Sequence, residues 1–251
     1  MDSNAIKLRI TETSQRKAAR VAGFMFLFSF IVPTLNWALV LSKFIVTENV
    51  IATAKNIMTN ELLFRIGITI ELIMSVGLIV LALALYIILK PVNRNLALLG
   101  LLWKLAEAVV VAVIVLVSFV ALQILIEGAP LAVLTFEQVQ APIGLILNVH
   151  TVLYSIPMVF LGLDLMVFFY LFYTSKYIPR ILAGFGIISF ALILIHALGN
   201  ILVPDYAAIL AVEIICYTPS CIAEIVIGIW LLSKDLYIPH QDVHASESAK
   251  T

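Results

Sequence analysis

Charged residues are scarce in this sequence. Asp, Glu, Lys and Arg together make up 12% of its 251 residues, whereas hydrophobic residues make up 63%. A soluble globular domain carries about 25% charged residues, so this composition excludes that class. The formal net charge is zero, and neither a nucleic-acid partner nor a cofactor is predicted.

Cysteine and the common catalytic motifs are also scarce or absent. Cys216 and Cys221 are five positions apart in one predicted helix, which is too far for a disulfide. The sequence has no G-x-x-x-G dimer motif and no convincing internal repeat. It also lacks H-E-x-x-H, G-x-S-x-G, P-loop and G-x-G-x-x-G motifs. No catalytic residue and no metal site is therefore predicted.

Long apolar runs are what the sequence has in abundance. Several exceed the roughly 20 residues that an α-helix needs to cross a bilayer. They are too uniformly apolar for the alternating strands of a membrane barrel. The predicted fold is an all-α, polytopic transmembrane bundle with six spans: Ala18–Leu41, Glu61–Leu89, Leu96–Leu125, Ala141–Tyr173, Ile181–Val203 and Tyr206–Leu232.

Lys and Arg are concentrated in the flanks on one side of these spans, which predicts that both termini are cytoplasmic. Residues 1–17 are predicted to be a cytoplasmic segment, residues 18–234 the transmembrane domain, and residues 235–251 a disordered cytoplasmic tail. We expect a multi-pass protein of the plasma membrane. On the outer side, Thr47 to Asn60 is predicted to form a short helix with Thr47 as its N-cap.

The last span carries the most informative pattern. Glu213, Tyr217, Ser220 and Glu224 fall on one helix face, and Pro219 interrupts the helix between the two acids. An acidic side chain at the centre of a membrane helix costs at least about 2.5 kcal/mol. Such a side chain therefore needs a buried partner or a function, which predicts a polar bundle interior.

Other ionisable and polar residues of the spans form two predicted layers. The outer half holds Glu71, Asn148, His150 and the His196–Asn200 pair, with Arg65 near the surface. The inner half holds Lys104, Glu107 and Asp164. Lys104 and Glu107 have the spacing of a local pair. The candidate buried polar or ligand residues are Glu71, Lys104, Glu107, His150, Asp164, His196, Asn200, Glu213, Tyr217 and Glu224.

The acids of the spans outnumber the bases. The spans contain five carboxyl groups, including Glu213 and Glu224, but only two basic side chains, Lys104 and the near-surface Arg65. Because low dielectric favours the neutral acid, some of these groups are expected to hold protons. Otherwise a cation, a histidine or water must compensate for the charge. Five of the candidates are predicted to face the bundle interior: Glu71, His150, His196, Glu213 and Glu224.

Four segments resemble a known family when taken in this order: LFRIGITIEL (63–72), LKPVNRNLALLGLLWKLAEA (89–108), FLGLDLMVFFYLFYTSKYIPRILAGF (160–185) and AEIVIGIWLLSKD (223–235). The chain resembles the bacterial domain-of-unknown-function 4386 family of six-span membrane proteins over roughly residues 18–234. The resemblance places seven residues at motif positions: Arg65, Lys104, His150, Gly162, Pro179, Arg180 and Glu224. It implies arginine as the usual residue where Lys104 stands and aspartate where Glu71 stands. The family has no assigned activity.

Three functions stay open from the sequence. The buried acids could exchange protons or cations in a small carrier, channel-like protein or ligand sensor. An alternative is an intramembrane enzyme acting on a lipid or isoprenoid, with His150, Asp164 and Glu224 as acid–base candidates. The polar layers could instead be interhelical hydrogen bonds that only stabilise the bundle. The predicted partners are the lipid bilayer and a small-molecule, lipid or ion ligand.

The charge asymmetry of the flanks generates a topology prediction. A reporter that is active only in the cytoplasm should be active when fused after Lys234, because the positive flanks remain inside. A reporter fused after Asn60 is the matched control and should be silent. A second reporter, active only outside the cell, is fused at the same position after Lys234. Activity of this second reporter, with the cytoplasmic reporter silent, would contradict the predicted orientation.

Overall fold

The computed structural model describes residues 3–46, 49–127, 153–203, 210–234 and 236. These residues form seven α-helices and one 3-10 helix, Leu41–Lys43, with no strand among them. The α-helices are α1 (Ser3–Leu39), α2 (Val50–Thr59), α3 (Glu61–Leu89), α4 (Arg94–Glu127), α5 (Ser155–Ser175), α6 (Arg180–Leu202) and α7 (Leu210–Ser233).

Six of these helices are long and apolar enough to cross a membrane. They are α1 and α3 to α7, which confirms the six predicted spans. The first twelve residues of the predicted fourth span, and all of the predicted tail except Leu236, lie outside the described residues. Leu236 itself is buried against the bundle core.

The six long helices pack as a closed ring in chain order. Each of α3, α4, α5 and α6 packs against its neighbours in the chain, and α7 packs against both α6 and α1. We call the side that holds the α3–α4 and α5–α6 junctions the junction side, and the side that holds α2 the α2 side. The ring encloses an interior lined by every long helix.

The outer surface of the ring is apolar. On α6, Ile181, Ile188, Ile195 and Leu202 recur every seven residues and are 89%, 64%, 59% and 76% exposed. Ser189 and His196, which lie on a different face of the same helix, are buried. A soluble protein does not expose an apolar surface this large, whereas a bilayer provides the apolar solvent that it requires.

Local sequence signals set the ends of the helices. The side chain of Asn93 accepts hydrogen bonds from the backbone N–H groups of Asn95 and Leu96, which caps α4. Pro179 is the N-cap of α6. The N-cap of α2 is Asn49, whose side chain accepts from the N–H of Ala52. The predicted N-cap, Thr47, is therefore wrong, since Asn49 provides the stronger capping side chain at the true helix start.

Phenylalanine fills the junction half of the interior. Phe26, Phe168, Phe169, Phe172 and Phe190 are almost completely buried. The rings of Phe169 and Phe190 stack with centroids 5.6 Å apart. Phe169 also lies against Gly186 of α6, where a Cβ atom would overlap the ring. This packing separates the polar interior from the junction surface.

The contact between Phe169 and Gly186 generates a stability prediction. We expect Gly186→Ala to lower the free energy of unfolding by about 1–3 kcal/mol, because the added methyl group overpacks a buried ring. Gly184→Ala is the matched control on the same helix, since a Cβ there meets only Tyr173 at 3.9 Å. The control should leave stability unchanged or raise it slightly. Denaturant unfolding in detergent measures both, and equal stability of the two variants would contradict the packing described.

Candidate functional site

An ionic cluster lies inside the ring where α4 and α5 meet. The Nζ atom of Lys104 donates a hydrogen bond of 2.7 Å to Oε2 of Glu107, one turn further along α4. The same Nζ atom lies 3.1 Å from Oδ1 of Asp164 on α5. Lys104 and Asp164 are 0% exposed and Glu107 is 4% exposed. Lys104 therefore joins two helices through two carboxylates, in addition to making the local pair predicted from the sequence.

Glu224 brings a third carboxyl group to this cluster from α7. It is close enough to both Lys104 and Glu107 for electrostatic interaction with each. Asp164 and Glu107 also interact with each other. Within the described part of the chain, the Glu224 carboxyl group makes no hydrogen bond and no ion pair. Three acids from three helices thus surround a single base.

The cluster lies near the middle of the bundle. Lys104 is ten residues from the start of α4, Asp164 eleven from the end of α5, and Glu224 nine from the end of α7. At 1.5 Å per residue these positions are about 15, 17 and 14 Å from the junction side. Side chains from different helices therefore meet at one depth, about half the hydrocarbon thickness of a bilayer.

Apolar layers separate the cluster from both membrane faces. Toward the junction side, Phe168 lies one turn from Asp164 and packs against Gly100, which is one turn from Lys104. Toward the α2 side, Met74, Leu78, Ala108 and Val111 form a second apolar contact layer. Within such surroundings the charges of the cluster interact through a medium of low dielectric, and each unpaired charge is costly.

A second polar contact lies further toward the α2 side. The hydroxyl of Tyr154 donates a hydrogen bond of 2.8 Å to Oε1 of Glu71. Glu71 is 18 residues from the end of α3, about 27 Å from the junction side. Ser75 lies one turn from Glu71 toward the junction side, and its hydroxyl donates a hydrogen bond of 2.7 Å to the backbone carbonyl of Ala108. Glu71 is buried, as predicted, and Ser75 is buried with it.

A third polar group joins α6 and α7. Nδ2 of Asn200 lies 3.2 Å from Nε2 of His196, and the His196 ring meets the Tyr217 ring edge to face with centroids 5.1 Å apart. His196 is buried, as predicted. Glu213 interacts electrostatically with both rings but is exposed. The interior position predicted for Glu213 is wrong, because it occupies the first turn of α7, where water and headgroups are within reach.

Two residues that the sequence reasoning left out of the candidate list belong to these layers. Tyr154 is the partner of Glu71, and its position on the same helical stripe as Asp164 was the available signal. Asn36 of α1 is 4% exposed and donates to the backbone carbonyl of Gly67 at 3.0 Å. A single amide in a long apolar helix is a weak signal, since it gives no partner. His150 lies outside the described residues.

The described part of the chain has no group of three His, Cys, Asp or Glu side chains arranged to hold a metal ion. The three carboxyl groups around Lys104 are groups that can bind protons. One ammonium group can neutralise one carboxylate, so the cluster is electrically neutral when two of its three carboxyl groups hold protons. Glu224 is the group that Lys104 does not contact directly.

The central position of Lys104 generates a second stability prediction. Lys104→Met should lower the free energy of unfolding by about 3–5 kcal/mol, because it leaves buried carboxylates without a counter-ion. Adding Asp164→Asn to this variant should restore part of the loss. Lys90→Met is the control, since Lys90 is an exposed lysine on the junction side. A loss below about 1 kcal/mol for Lys104→Met, the range of an exposed ion pair, would show that the cluster does not depend on its lysine.

Comparison with known proteins identifies the family of the chain. Neither a curated protein nor a solved structure shows significant similarity to the chain. One family model matches residues 21–234, which include α1 from residue 21 onward, the whole of α3 to α7, and every residue of the ionic cluster. Its description is a domain of unknown function, DUF4386. The chain belongs to the DUF4386 family.

Proposed function

We propose that this protein is a proton-linked membrane protein, a transporter or sensor, in which the ionic cluster binds and releases protons. The observation that carries the proposal is the excess of acid at the cluster. Glu107, Asp164 and Glu224 surround one buried lysine. A bundle that needed only an interhelical contact would be served by one acid and one base.

The charge of the cluster depends on bound protons. With all three acids ionised the net charge is −2, and with two protons bound it is zero. A charge buried in a low-dielectric interior is destabilised by several kcal/mol relative to water. Loss or gain of a proton therefore changes the free energy of the cluster strongly. Because α4, α5 and α7 each contribute an acid, such a change acts on the packing of three helices at once.

Glu224 is the group best placed to exchange protons. Glu107 and Asp164 are held by direct contacts of 2.7 and 3.1 Å with Lys104. Glu224 has no such contact among the described residues and is only partly buried. It also lies five residues after Pro219, which has no backbone N–H and so leaves one helical hydrogen bond unmade. A helix weakened at this point can move its acid more readily.

The proposal is tested by infrared titration of the carboxyl groups. The native protein should show a protonated-carboxyl band at neutral pH that disappears as pH rises, because the proton leaves a neutral acid of the ionic cluster. Glu224→Gln keeps the shape of the protonated acid, so the variant should fold normally and lack this band. Glu213→Gln is the matched control on the same helix, since Glu213 is exposed. It should leave the band unchanged.

Two outcomes are decisive. If the native protein has no band that Glu224→Gln removes, Glu224 is ionised and the cluster is only a structural contact. If the band is present, titration with Na⁺ or K⁺ at constant pH separates proton exchange from cation exchange. We expect no change with either salt, whereas a band that decreases on adding one cation would mean that this cation replaces a proton.

A further inference from the structure

A groove opens on the junction side of the bundle, between the α5–α6 loop and the end of α7. Its volume is about 480 Å³ and it is lined by Lys176, Tyr177, Ile178, Pro179, Arg180, Ile181 and Trp230. We propose that this groove binds the headgroup of a net-negative phospholipid, with the phosphate against the basic residues and an acyl chain along the outer surface of the bundle. The ionic cluster takes no part in this site.

Charge complementarity is the first argument for the occupant. Lys176 and Arg180 are both exposed at the rim of the groove, and no acidic residue lines it among the described residues. Basic residues at a membrane surface attract anionic lipids. The guanidinium of Arg180 also lies 5.5 Å from the centre of the Tyr173 ring, which holds the cation in place at the membrane interface.

The start of α6 adds hydrogen-bond donors to the groove. Pro179 is the N-cap of α6 and has no side chain able to cap the first turn. The first N–H groups of a helix lack intrahelical acceptors and carry a partial positive charge, which favours a phosphate. Arg180 and Ile181 provide two of these N–H groups, and both residues line the groove. Amide donors and two cations therefore converge on one place.

The loop that forms the groove is anchored. Lys176 adopts a left-handed backbone conformation with φ of 59° and closes α5 by donating its N–H to the carbonyl of Phe172 at 3.0 Å. Tyr177 and Ile178 are 8% and 2% exposed, so the middle of the loop is packed into the bundle core. The basic residues on either side are thus held in position before a ligand binds, which lowers the entropic cost of binding.

The apolar part of the lining favours a lipid over free phosphate. Ile181 is 89% exposed and lies beside Arg180, at the junction-side end of the apolar stripe of α6. Trp230 closes the groove from α7, and indole rings favour the interface between headgroups and acyl chains. A ligand with a phosphate and an acyl chain would contact both parts of this surface at once, whereas inorganic phosphate would contact only the basic part.

Quenching of Trp230 fluorescence by brominated lipid tests the proposal on the full chain in mixed-lipid nanodiscs. The Trp230 signal is the difference between the native protein and Trp230→Phe. We expect brominated phosphatidylglycerol to quench it at about 25-fold lower mole fraction than brominated phosphatidylcholine, since each of two cations contributes about fivefold. The K176Q/R180Q variant should lose this preference. If the double variant does not fold, the single variant K176Q serves the same purpose. Its preference for phosphatidylglycerol should fall about fivefold.

The matched control is K90Q/R94Q, which removes two basic residues from the other junction on the same side. It should keep the preference for phosphatidylglycerol at the groove. Equal quenching by the two lipids in the native protein would overturn the proposal, as would an equal loss in K90Q/R94Q, which would indicate diffuse surface charge. Protection of Trp230 by inorganic phosphate would identify free phosphate as the occupant and overturn the assignment to lipid.

Discussion

The energetic cost of a charge in hydrocarbon is the constraint on which this structure depends. A lysine at the centre of a membrane bundle requires a counter-ion, and Lys104 has Glu107 at 2.7 Å and Asp164 at 3.1 Å. These contacts fix the rotation of α4 and its height relative to α5. The apolar face of α4 is then directed to lipid, and Gly100 is brought against Phe168. The ion pairs thus specify how the helices fit together, while the apolar layers give the cluster its low dielectric.

Much of the fold was predictable because lipid imposes simple rules. Runs such as Glu61 to Leu89 are long and apolar, and their backbone can be satisfied in a bilayer only as helices. The cost of an ionisable side chain in hydrocarbon also placed His196 in the interior, where it is buried. The ring order of the helices was not predictable, since lipid-facing and bundle-facing leucines look alike in a sequence. The cap was predicted at Thr47, but Asn49 also has a suitable side chain, and only the backbone decides where the helix begins.

The candidate site was predictable in its residues but not in its connections. The free-energy cost of a charged side chain in hydrocarbon identified Lys104, Asp164 and Glu224 individually. The spacing of Lys104 and Glu107 predicted their local pair. Contacts between helices depend on helix rotation and depth, which no spacing rule gives, so the Lys104–Asp164 pair and the Tyr154–Glu71 hydrogen bond emerged only from the structure. Glu213 was misplaced for a related reason. Helical phase put it on the stripe of Glu224, but its position at the start of α7 puts it beyond the buried part of that stripe.

The closure of the ring through α1 and α7 has a consequence for biogenesis. A membrane protein is synthesised from its N-terminus, so α7 is the last of the described helices to leave the ribosome. The partners of Lys104 arrive in sequence: Glu107 within the same helix, Asp164 with the next spanning helix, and Glu224 only when α7 inserts against α1. The lysine is therefore neutralised early, while the third acid of the cluster enters an almost finished bundle. Completion of the ionic cluster and completion of the bundle are the same event, and quality control of insertion can act on that one step.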